Sequence, residues 1–369
     1  MRIVVTGGDG FIGRNLRFAL RERGYEDVIT LEQGTSASAL ADAVANADFI
    51  FHLAGVNRPA DVAEFDVVNR GFTATLCDAL TASARAIPVA YTSSTQVSAD
   101  NPYGASKRAA ELEIERYGER TGARTHVFRL TNVFGKWCRP NYNSVVATFC
   151  HNIARGLPIT VNDPNAAVDL VYIDDVVAAM AALLQPDSPP PRMVNVQPTY
   201  RTTVGELAGL VRDFAASRTT RLVPRVGTGF IRALYATYVS YLAPESFDYA
   251  VPRHADRRGV FAEMLRTADS GQLSFFTAFP GVTRGGHYHH TKNEKFLVLR
   301  GRARFRFRHL VTGQMHELLV DGVESRVVDT VPGWAHDITN VGDDELLVML
   351  WANEIFDAER PDTVAAPFD

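Results

Sequence analysis

MRIVVTGGDGFIG, at residues 1–13, decides the fold of the first part of this 369-residue chain. An apolar run comes first, three glycines follow at positions 7, 10 and 13, and the amphipathic stretch FIGRNLRFALRERG overlaps the last of them. A strand that turns into a helix over such glycines presents free N–H groups and the positive end of the helix dipole to a phosphate. Gly7, Gly10 and Gly13 therefore predict a site for the pyrophosphate of a dinucleotide.

The alternation that begins here continues to about residue 240. Short apolar runs such as ADFIFHLAG and THVFRL are separated by helix-like stretches such as GASKRAAELEIERYGERTG. This pattern predicts an α/β doubly wound, mainly parallel sheet of the Rossmann type. Beyond Pro244 strand-like runs dominate, and ARFRFRHL alternates apolar and basic residues with the period of a half-buried strand. We expect two domains, a Rossmann domain at 1–243 and an all-β sandwich or barrel at 244–369.

Composition and charge exclude several classes of protein. The net charge of −4 offers no basic surface, so a nucleic-acid partner is not expected. The apolar runs are too short to cross a bilayer, and the first residues lack the pattern of a signal peptide. Three scattered cysteines do not make a disulfide framework. We therefore expect a cytoplasmic protein without membrane insertion.

A second motif, YGASK at 103–107, supplies candidates for catalysis. Tyr103 and Lys107 are four residues apart and share one face of a helix, where the lysine ammonium should lower the pKa of the phenol. Such a tyrosine can give a proton to a carbonyl oxygen as a hydride arrives from NAD(P)H. Ser94, at a predicted strand end, can hydrogen-bond to the same oxygen. This intact set predicts an enzyme rather than a protein that only senses NAD(P).

Together with HLAG at 52–55 and Asn69, these motifs resemble the extended short-chain dehydrogenase/reductase family. The resemblance implies that Ser94, Tyr103, Lys107 and Asn69 are catalytic. It also implies a set of cofactor-binding residues: Gly7, Gly10, Phe11, Ile12, Gly13, Arg14, Leu53, Ala54, Gly55, Tyr103 and Lys107.

The segment RLTNVFG at 129–135 resembles the one that leads into the nucleotide-sugar site of the same family. Asn132 and Arg139 are therefore candidates for substrate binding. Sugar-nucleotide dehydratases of the family carry a threonine followed by acidic residues where this chain has Ser94-Thr95-Gln96. Dehydration is not expected, because the acid and base that it requires are missing.

The sequence leaves the choice between NADPH and NADH open. The second strand should end near Leu31-Glu32-Gln33, and an acidic residue there accepts a hydrogen bond from a ribose hydroxyl and repels a 2′-phosphate. Arg14, just after the glycines, could bind that phosphate instead.

A histidine cluster in GVTRGGHYHHTKNEKFLVLRG, at 281–301, predicts a metal site in the all-β part. His287 and His289 point to the same side of a strand, Glu294 follows, and the distant PGWAH contributes His336. Imidazoles and one carboxylate suit Zn²⁺ or another divalent ion and leave room for a substrate.

The spacing across 281–301 resembles the first cupin motif, and residues 333–340 resemble the second. This resemblance implies a jelly-roll fold for the all-β domain. The segment DRRGVFAE at 256–263 further resembles cupin sugar-nucleotide 3,5-epimerases.

Epimerisation and reduction of a sugar can share one ketone, because only a proton next to a carbonyl is acidic enough to remove. His290, Lys292 and Tyr288 are candidates for moving that proton, and His290 and Lys292 for binding the substrate. In the alternative interpretation the cupin domain is only a metal-stabilised dimerisation or sugar-binding module beside a ketoreductase.

Further segments resemble bifunctional reductase/3-epimerases of capsular polysaccharide synthesis along nearly the whole chain: GVNRP, NPYGASK, NVFGKWCRPNYNSVVATFC, HHTKNEKFLV and WANEIFD-x-x-x-PDT. That family converts UDP-2-acetamido-2,6-dideoxy-L-arabino-hexos-4-ulose to UDP-N-acetyl-6-deoxy-L-talosamine. The resemblance implies NADPH, a cupin-bound zinc, a UDP-sugar substrate and a homodimer. The chain departs from the family at Glu32-Gln33, where a basic residue is usual.

Overall fold

The structure is a computed structural model that describes residues 1–32, 34–185 and 192–368. The chain divides into two compact units, Met1–Val211 with Gly229–Leu242 and Arg212–Thr228 with Ala243–Asp369. Within these described ranges, no helix is both long enough and apolar enough to cross a membrane.

The sequence analysis assigned all of residues 1–243 to the first domain, but residues 212–228 group with the second unit. Arg221 forms a largely buried ion pair with Glu263, with 2.8 Å between the charged atoms. The backbone N–H of Arg266 also donates to the Arg221 carbonyl at 2.8 Å. These contacts hold the segment against a strand of the second unit.

The first unit is organised around a six-stranded parallel sheet with helices on both faces. The strands up to residue 203 are β1 Ile3–Thr6, β2 Val28–Leu31, β3 Phe49–His52, β4 Val89–Ser94, β5 Thr125–Leu130, β6 Asn132–Phe134, β7 Ala167–Tyr172, β8 Met193–Val194 and β9 Thr199–Thr203. The helices are α1 Phe11–Glu22, α2 Ala37–Ala45, α3 Phe72–Ala82, α4 Pro102–Thr121, α5 Val145–Ala154, α6 Ile173–Ala182, α7 Val204–Thr220 and α8 Gly229–Ser240. The predicted α/β doubly wound sheet is confirmed.

The order of the strands fixes where a ligand can bind. The main sheet runs β2-β1-β3-β4-β5-β8, and β6, β7 and β9 form a smaller sheet. Strands β1, β3 and β4 are buried along their whole length, because helices cover both faces and leave no solvent side. The strand order reverses between β1 and β3, and ligands of doubly wound folds bind beyond the carboxyl ends of the strands at such a point.

Helix α4 carries the predicted catalytic pair, and its sequence explains where it begins. The Asn101 side chain accepts a hydrogen bond of 2.7 Å from the Gly104 N–H, and Pro102 takes the first helical position. A Cβ on Gly104 would lie 2.2 Å from the Gln96 carbonyl oxygen. The glycine therefore lets α4 approach the turn that follows β4, which brings Tyr103 towards the end of that strand.

The second unit contains a sandwich of two antiparallel sheets, so the predicted all-β domain is confirmed. Its strands are β10 Arg253–Asp256, β11 Gly259–Thr267, β12 Gly271–Ala278, β13 Thr283–Tyr288, β14 Glu294–Arg300, β15 Arg302–His309, β16 Met315–Asp321, β17 Val327–Asp329, β18 Trp334–Asn340, β19 Leu346–Ala352 and β20 Val364–Ala365. The sheet orders are β10-β11-β12-β19-β14-β17 and β16-β15-β18-β13-β20. Phe276 and Phe296 from one sheet meet Phe305 from the other in the core between them.

We predict that Gly104→Ala destabilises the first unit by about 1–3 kcal/mol, because the new methyl group overpacks the contact between α4 and the preceding turn. Urea unfolding of the full chain measures the change. The control is Gly209→Ala in α7, where a Cβ meets no heavy atom within 4 Å. That variant should be neutral or up to about 1 kcal/mol more stable, because alanine favours the helix. Equal effects of the two substitutions would contradict the role given to the close contact.

Candidate active site and metal centre

A cavity of about 870 Å³ opens in the first unit, lined by residues at the carboxyl ends of the strands. Most of the predicted cofactor-binding residues line it: Gly10, Phe11, Ile12, Arg14, Leu53, Gly55, Tyr103 and Lys107. The predicted substrate-binding residues Asn132 and Arg139 line it as well. One cavity therefore collects the cofactor and substrate candidates that the sequence places far apart.

Gly7 and Gly13 shape the loop between β1 and α1 through close backbone contacts. Gly7 has a φ of +68°, and a Cβ there would lie 2.9 Å from the backbone nitrogen of Ala54. A Cβ on Gly13 would lie 2.3 Å from the Gly7 carbonyl oxygen. The loop therefore sits directly against the segment after β3, which also carries predicted cofactor-binding residues.

A buried histidine that the sequence analysis did not select connects these parts. His52 Nδ1 is 2.7 Å from the Thr6 hydroxyl, and His52 Nε2 is 2.8 Å from the Thr73 hydroxyl. Burial, together with the nearby Lys107, lowers the pKa of His52 to about 3, so the imidazole is neutral. His52 is part of the quoted HLAG segment, but the sequence does not indicate that it contacts Thr6 of β1 and Thr73 of α3, because these contacts form only in the folded chain.

The phenol of Tyr103 has a different acidity from the one expected. Burial raises the pKa of Tyr103, and a hydrogen bond with Ser94 only partly offsets that effect. The expectation of a lowered pKa at Tyr103 is therefore wrong, because burial is the largest influence on it. The Lys107 ammonium donates to the Thr92 carbonyl at 2.9 Å.

Lys107 is itself buried, and this burial lowers the pKa of its ammonium group to about 8. The Lys107 Nζ atom also lies 5.0 Å from the centre of the Tyr91 ring, close enough for a cation–π contact. Near neutral pH the structure therefore combines a protonated phenol with a charged lysine.

Asn69, predicted to be catalytic, is buried and makes hydrogen bonds that hold a loop. Its Oδ1 accepts from the Val56 N–H at 2.8 Å, and its Nδ2 donates to the Val56 carbonyl and to the Ser106 hydroxyl, each at 3.0 Å. A Cβ on Gly55 would lie 2.9 Å from Asn69 Oδ1 and 3.2 Å from Lys107 Nζ. Asn69 therefore positions the loop after β3 beside the predicted catalytic lysine.

The loop that contains Arg58 and the loop that contains Tyr142 meet where they line the cavity, near Arg139. The sequence analysis had not selected Arg58 or Tyr142. The Arg58 guanidinium donates to the Tyr142 carbonyl, and the Tyr142 hydroxyl donates to the Arg58 carbonyl at 3.3 Å. The guanidinium of Arg139 lies 4.8 Å from the centre of the Tyr142 ring. Arg58 belongs to the GVNRP segment, which entered the sequence analysis only through resemblance.

All four predicted metal ligands come together in the second unit. One ligand atom from each of His287, His289, Glu294 and His336 lies within 4.8 Å of the others. His289 Nε2 is 3.3 Å from a Glu294 oxygen, and His336 Nε2 is 3.6 Å from the same oxygen. His287 sits on β13 and His336 on β18, and these two residues are paired across the neighbouring strands.

The donor set fits a divalent metal ion. Among the described residues neither ring nitrogen of His336 has a hydrogen-bond partner, although both are buried. Burial and the neighbouring histidines lower the pKa of His287 to about 4, which keeps its imidazole neutral and able to bind a metal. Burial alone would raise the pKa of the Glu294 carboxyl, but His289, His336 and Lys292 hold it well below its usual range.

Asp362, which the sequence analysis did not select, fixes the loop between β13 and β14. His289 Nδ1 contacts the Asp362 carbonyl, which can only accept, so Nδ1 carries a proton. His289 Nε2 lies 3.3 Å from a Glu294 oxygen and faces the cluster. The Asp362 carboxylate accepts from the backbone N–H groups of His290, Thr291 and Lys292 at 2.7–2.9 Å. These bonds lower the pKa of Asp362 well below its usual range. In the sequence, only the resemblance of the segment WANEIFD-x-x-x-PDT, whose PDT is residues 361–363, pointed to Asp362.

A second cavity, of about 210 Å³, lies beside this cluster and is lined by His287, Glu294 and His336. Arg258, Arg284 and Asp337 also line it, and the sequence analysis had singled out none of these three individually. Arg258 lies within DRRGVFAE, so the resemblance to sugar-nucleotide epimerases does correspond to a residue at the cavity.

The three residues proposed from sequence to move a proton lie in different surroundings. Lys292 Nζ is 2.9 Å from a Glu294 oxygen, so the lysine is paired with one of the predicted metal ligands. His290 is exposed, and its ring lies 5.5 Å from the ring of half-buried Tyr288. Their roles in proton transfer or substrate binding stay predictions.

Comparisons with known proteins agree with this arrangement. Residues 3–196 match the NAD dependent epimerase/dehydratase family, and residues 254–364 match the polysaccharide biosynthesis C-terminal domain. The UDP-2-acetamido-2,6-beta-L-arabino-hexul-4-ose reductase of Pseudomonas aeruginosa is 54% identical over 365 residues, which are 99% of this chain and 98% of the reductase.

Solved structures of whole relatives match as well. The crystal structure of the capsular polysaccharide assembling protein CapF from Staphylococcus aureus has a TM-score of 0.93 at 40% identity, with 100% of both chains covered. CapF with the inhibitor 3-isopropenyl-tropolone has a TM-score of 0.88 at 36% identity, again with 100% of both chains covered.

The family match spans more than half of the chain, and the Pseudomonas reductase aligns with nearly all of it. The resemblance to reductases of capsular polysaccharide synthesis is thereby confirmed at the level of the family. The chain belongs to the NAD dependent epimerase/dehydratase family and, over its whole length, to the group of proteins that contains the Pseudomonas reductase and CapF.

Proposed function

We propose that this chain epimerises carbon 3 of a UDP-linked 4-keto-6-deoxy-N-acetylhexosamine and reduces its carbon 4 ketone, giving UDP-N-acetyl-6-deoxy-L-talosamine. The observation that carries the proposal is the presence in one chain of both constellations. Ser94, Tyr103 and Lys107 line the cavity of the first unit, and a set of metal-ligand side chains lines that of the second. The name of the Pseudomonas reductase supports the substrate class.

The reduction step uses the Tyr103 phenol as a proton donor. Burial raises the pKa of Tyr103, so the phenol keeps its proton at neutral pH and can deliver it to the ketone oxygen. Ser94 is the second donor to that oxygen, and the Lys107 ammonium stabilises the negative charge that develops there. A bound nicotinamide cofactor would supply the hydride.

The epimerisation step needs the same ketone, because the carbonyl acidifies the proton on carbon 3. A divalent ion held by His287, His289, Glu294 and His336 would polarise the ketone oxygen. At the second cavity the Arg284 guanidinium can bind an anionic group of the substrate, whereas Arg258 is paired with the Asp256 carboxylate at 2.6 Å. Reduction then traps the epimer, because an alcohol has no acidified neighbouring proton.

Zinc as the resident ion, a homodimer and a cytoplasmic location belong to the same proposal. Zinc is supported by the mixed nitrogen and oxygen donor set, which leaves space for a substrate. The homodimer rests on the resemblance described for the sequence, and the cytoplasmic location on the composition and the scattered cysteines.

We expect Tyr103→Phe to lower the turnover of ketone reduction by about 10²–10⁴-fold, because the proton donor is lost while the ring is kept. NMR of the sugar product and loss of reduced nicotinamide absorbance measure the rate. Tyr25→Phe, a matched change of a phenol that does not line the described cavity, should leave the rate unchanged. Full activity of Tyr103→Phe would refute the assignment.

The metal cluster is tested with the full chain carrying Tyr103→Phe, so that reduction does not consume the ketone. In deuterated water, NMR should show exchange of the proton on carbon 3 above the rate without enzyme. Adding His287→Gln, or removing the metal with a chelator, should abolish that excess. The matched change His316→Gln, at an exposed histidine on β16, should keep it. Exchange that survives the loss of His287 and of the metal would favour the alternative of a dimerisation or sugar-binding module.

The reductase should also lose activity as the pH rises through about 8. Burial lowers the pKa of Lys107 to about 8, so its ammonium form is present below that pH and is lost above it. A pH profile of kcat/KM for the reduced cofactor should therefore fall about tenfold per unit above this point. The residual activity of Lys107→Met should show no such decline near pH 8. A profile that stays level to pH 10 in the unsubstituted chain would contradict this prediction.

A further inference from the structure

We propose that Glu32 makes this chain select NADH over NADPH, a choice that rests on the proposed function of the first unit as a nicotinamide-dependent reductase. The sequence left this choice open between Glu32 and Arg14, and the family resemblance implied NADPH. The positions of four charged side chains around the glycine loop favour NADH.

Glu32 lies at the place where the adenosine ribose of a dinucleotide is recognised. It directly follows β2, whose last residue, Leu31, accepts a backbone hydrogen bond of 2.9 Å from Gly7 in the glycine loop. In doubly wound folds an acidic residue at this strand end accepts from the ribose 2′-hydroxyl. Gln33, the next residue, lies outside the described residues.

The Glu32 carboxylate is held towards the glycine loop. Its Oε1 accepts a hydrogen bond of 2.9 Å from the Asp9 N–H, and the side chain is half-buried. The Glu32 carbonyl accepts from the Thr35 hydroxyl at 2.7 Å, which fixes the turn behind it. Asp9 lines the large cavity, so this hydrogen bond places the Glu32 carboxylate next to a cavity-lining residue.

The two arginines that could counter this charge have other partners. Arg17 pairs with the Asp9 carboxylate at 2.7 Å. Arg14, the residue considered for a 2′-phosphate, donates to the Trp137 carbonyl at 3.0 Å. A phosphate at the ribose 2′ position would therefore approach two carboxylates, of which one is already paired with an arginine.

A 2′-phosphate carries nearly two negative charges at neutral pH, and part of its hydration shell must be removed when it enters the site. Repulsion by the Glu32 carboxylate should weaken the binding of NADPH relative to that of NADH by about 10- to 100-fold in dissociation constant. A 2′-hydroxyl instead gains a charge-assisted hydrogen bond to the same carboxylate.

Isothermal titration of the full-length protein with NADH and with NADPH tests the inference without any need for turnover. We expect NADH to bind at least about tenfold more tightly. Glu32→Gln, which keeps an acceptor for the Asp9 N–H and removes the charge, should bring the two constants to within about threefold. The matched control is Glu26→Gln, at an exposed residue two positions before the first residue of β2. This variant should leave the ratio of the two dissociation constants unchanged.

Equal or tighter binding of NADPH by the unsubstituted chain would overturn the inference, and so would a ratio that Glu32→Gln does not move. Binding of neither cofactor would overturn it as well. Selective binding of NADH without reduction of a UDP-4-keto sugar would leave the inference standing and remove the proposed substrate. Failure of the specificity and failure of the proposed function are therefore distinguishable.

Discussion

The hydrogen bonds of one neutral imidazole hold the active-site cavity of the first unit together. His52 contacts Thr6 at the end of β1 and Thr73 in α3, and the Thr73 hydroxyl donates to the Asn69 carbonyl at 2.6 Å. A protonated His52 would place a second positive charge near the buried Lys107, and such burial of like charges is costly. Burial, and secondarily the charge of Lys107, therefore keep His52 neutral. The end of β1, the loop after β3 and helix α4 are connected through these contacts, because Asn69 also donates to the Ser106 hydroxyl of α4.

The two units differ in the charged groups that surround their cavities. In the first unit burial keeps the proton on the phenol, as a reductase requires, and the buried Lys107 supplies a positive charge nearby. In the second unit three histidines and one ionised carboxylate form a donor set for a cation, with two arginines at the adjoining cavity. Both arrangements are suited to the oxygen of a ketone, one to protonating it and the other to drawing electron density towards it. In the function proposed above, a sugar that carries this ketone links the two chemistries in one chain.

The fold and most of the site could be predicted from the sequence because the chemistry imposes fixed spacings. Glycines at 7, 10 and 13, a tyrosine four residues before a lysine, and the His-x-His spacing are local patterns. The acidity of Tyr103 could not be predicted in the same way, because burial depends on how α4 packs against the turn after β4. Residues that act through distant partners were also missed: His52 and Asp362 each contact residues that lie far away in the sequence. The grouping of residues 212–228 with the second unit depends likewise on a tertiary ion pair, between Arg221 and Glu263.

The contact between Asp362 and the loop that bears His289 has a consequence for the order of biosynthesis. Asp362 lies 73 positions after His289, so it emerges from the ribosome after the loop that bears His289. Until it does, the loop between β13 and β14 lacks the acceptor that sets the tautomer of His289 and the carboxylate that gathers three backbone amides. A nascent chain can fold its parallel sheet while the predicted metal ligands are still unorganised, since domains generally fold in the order of their synthesis. The predicted metal site therefore forms late, after most strands of the second unit have been translated.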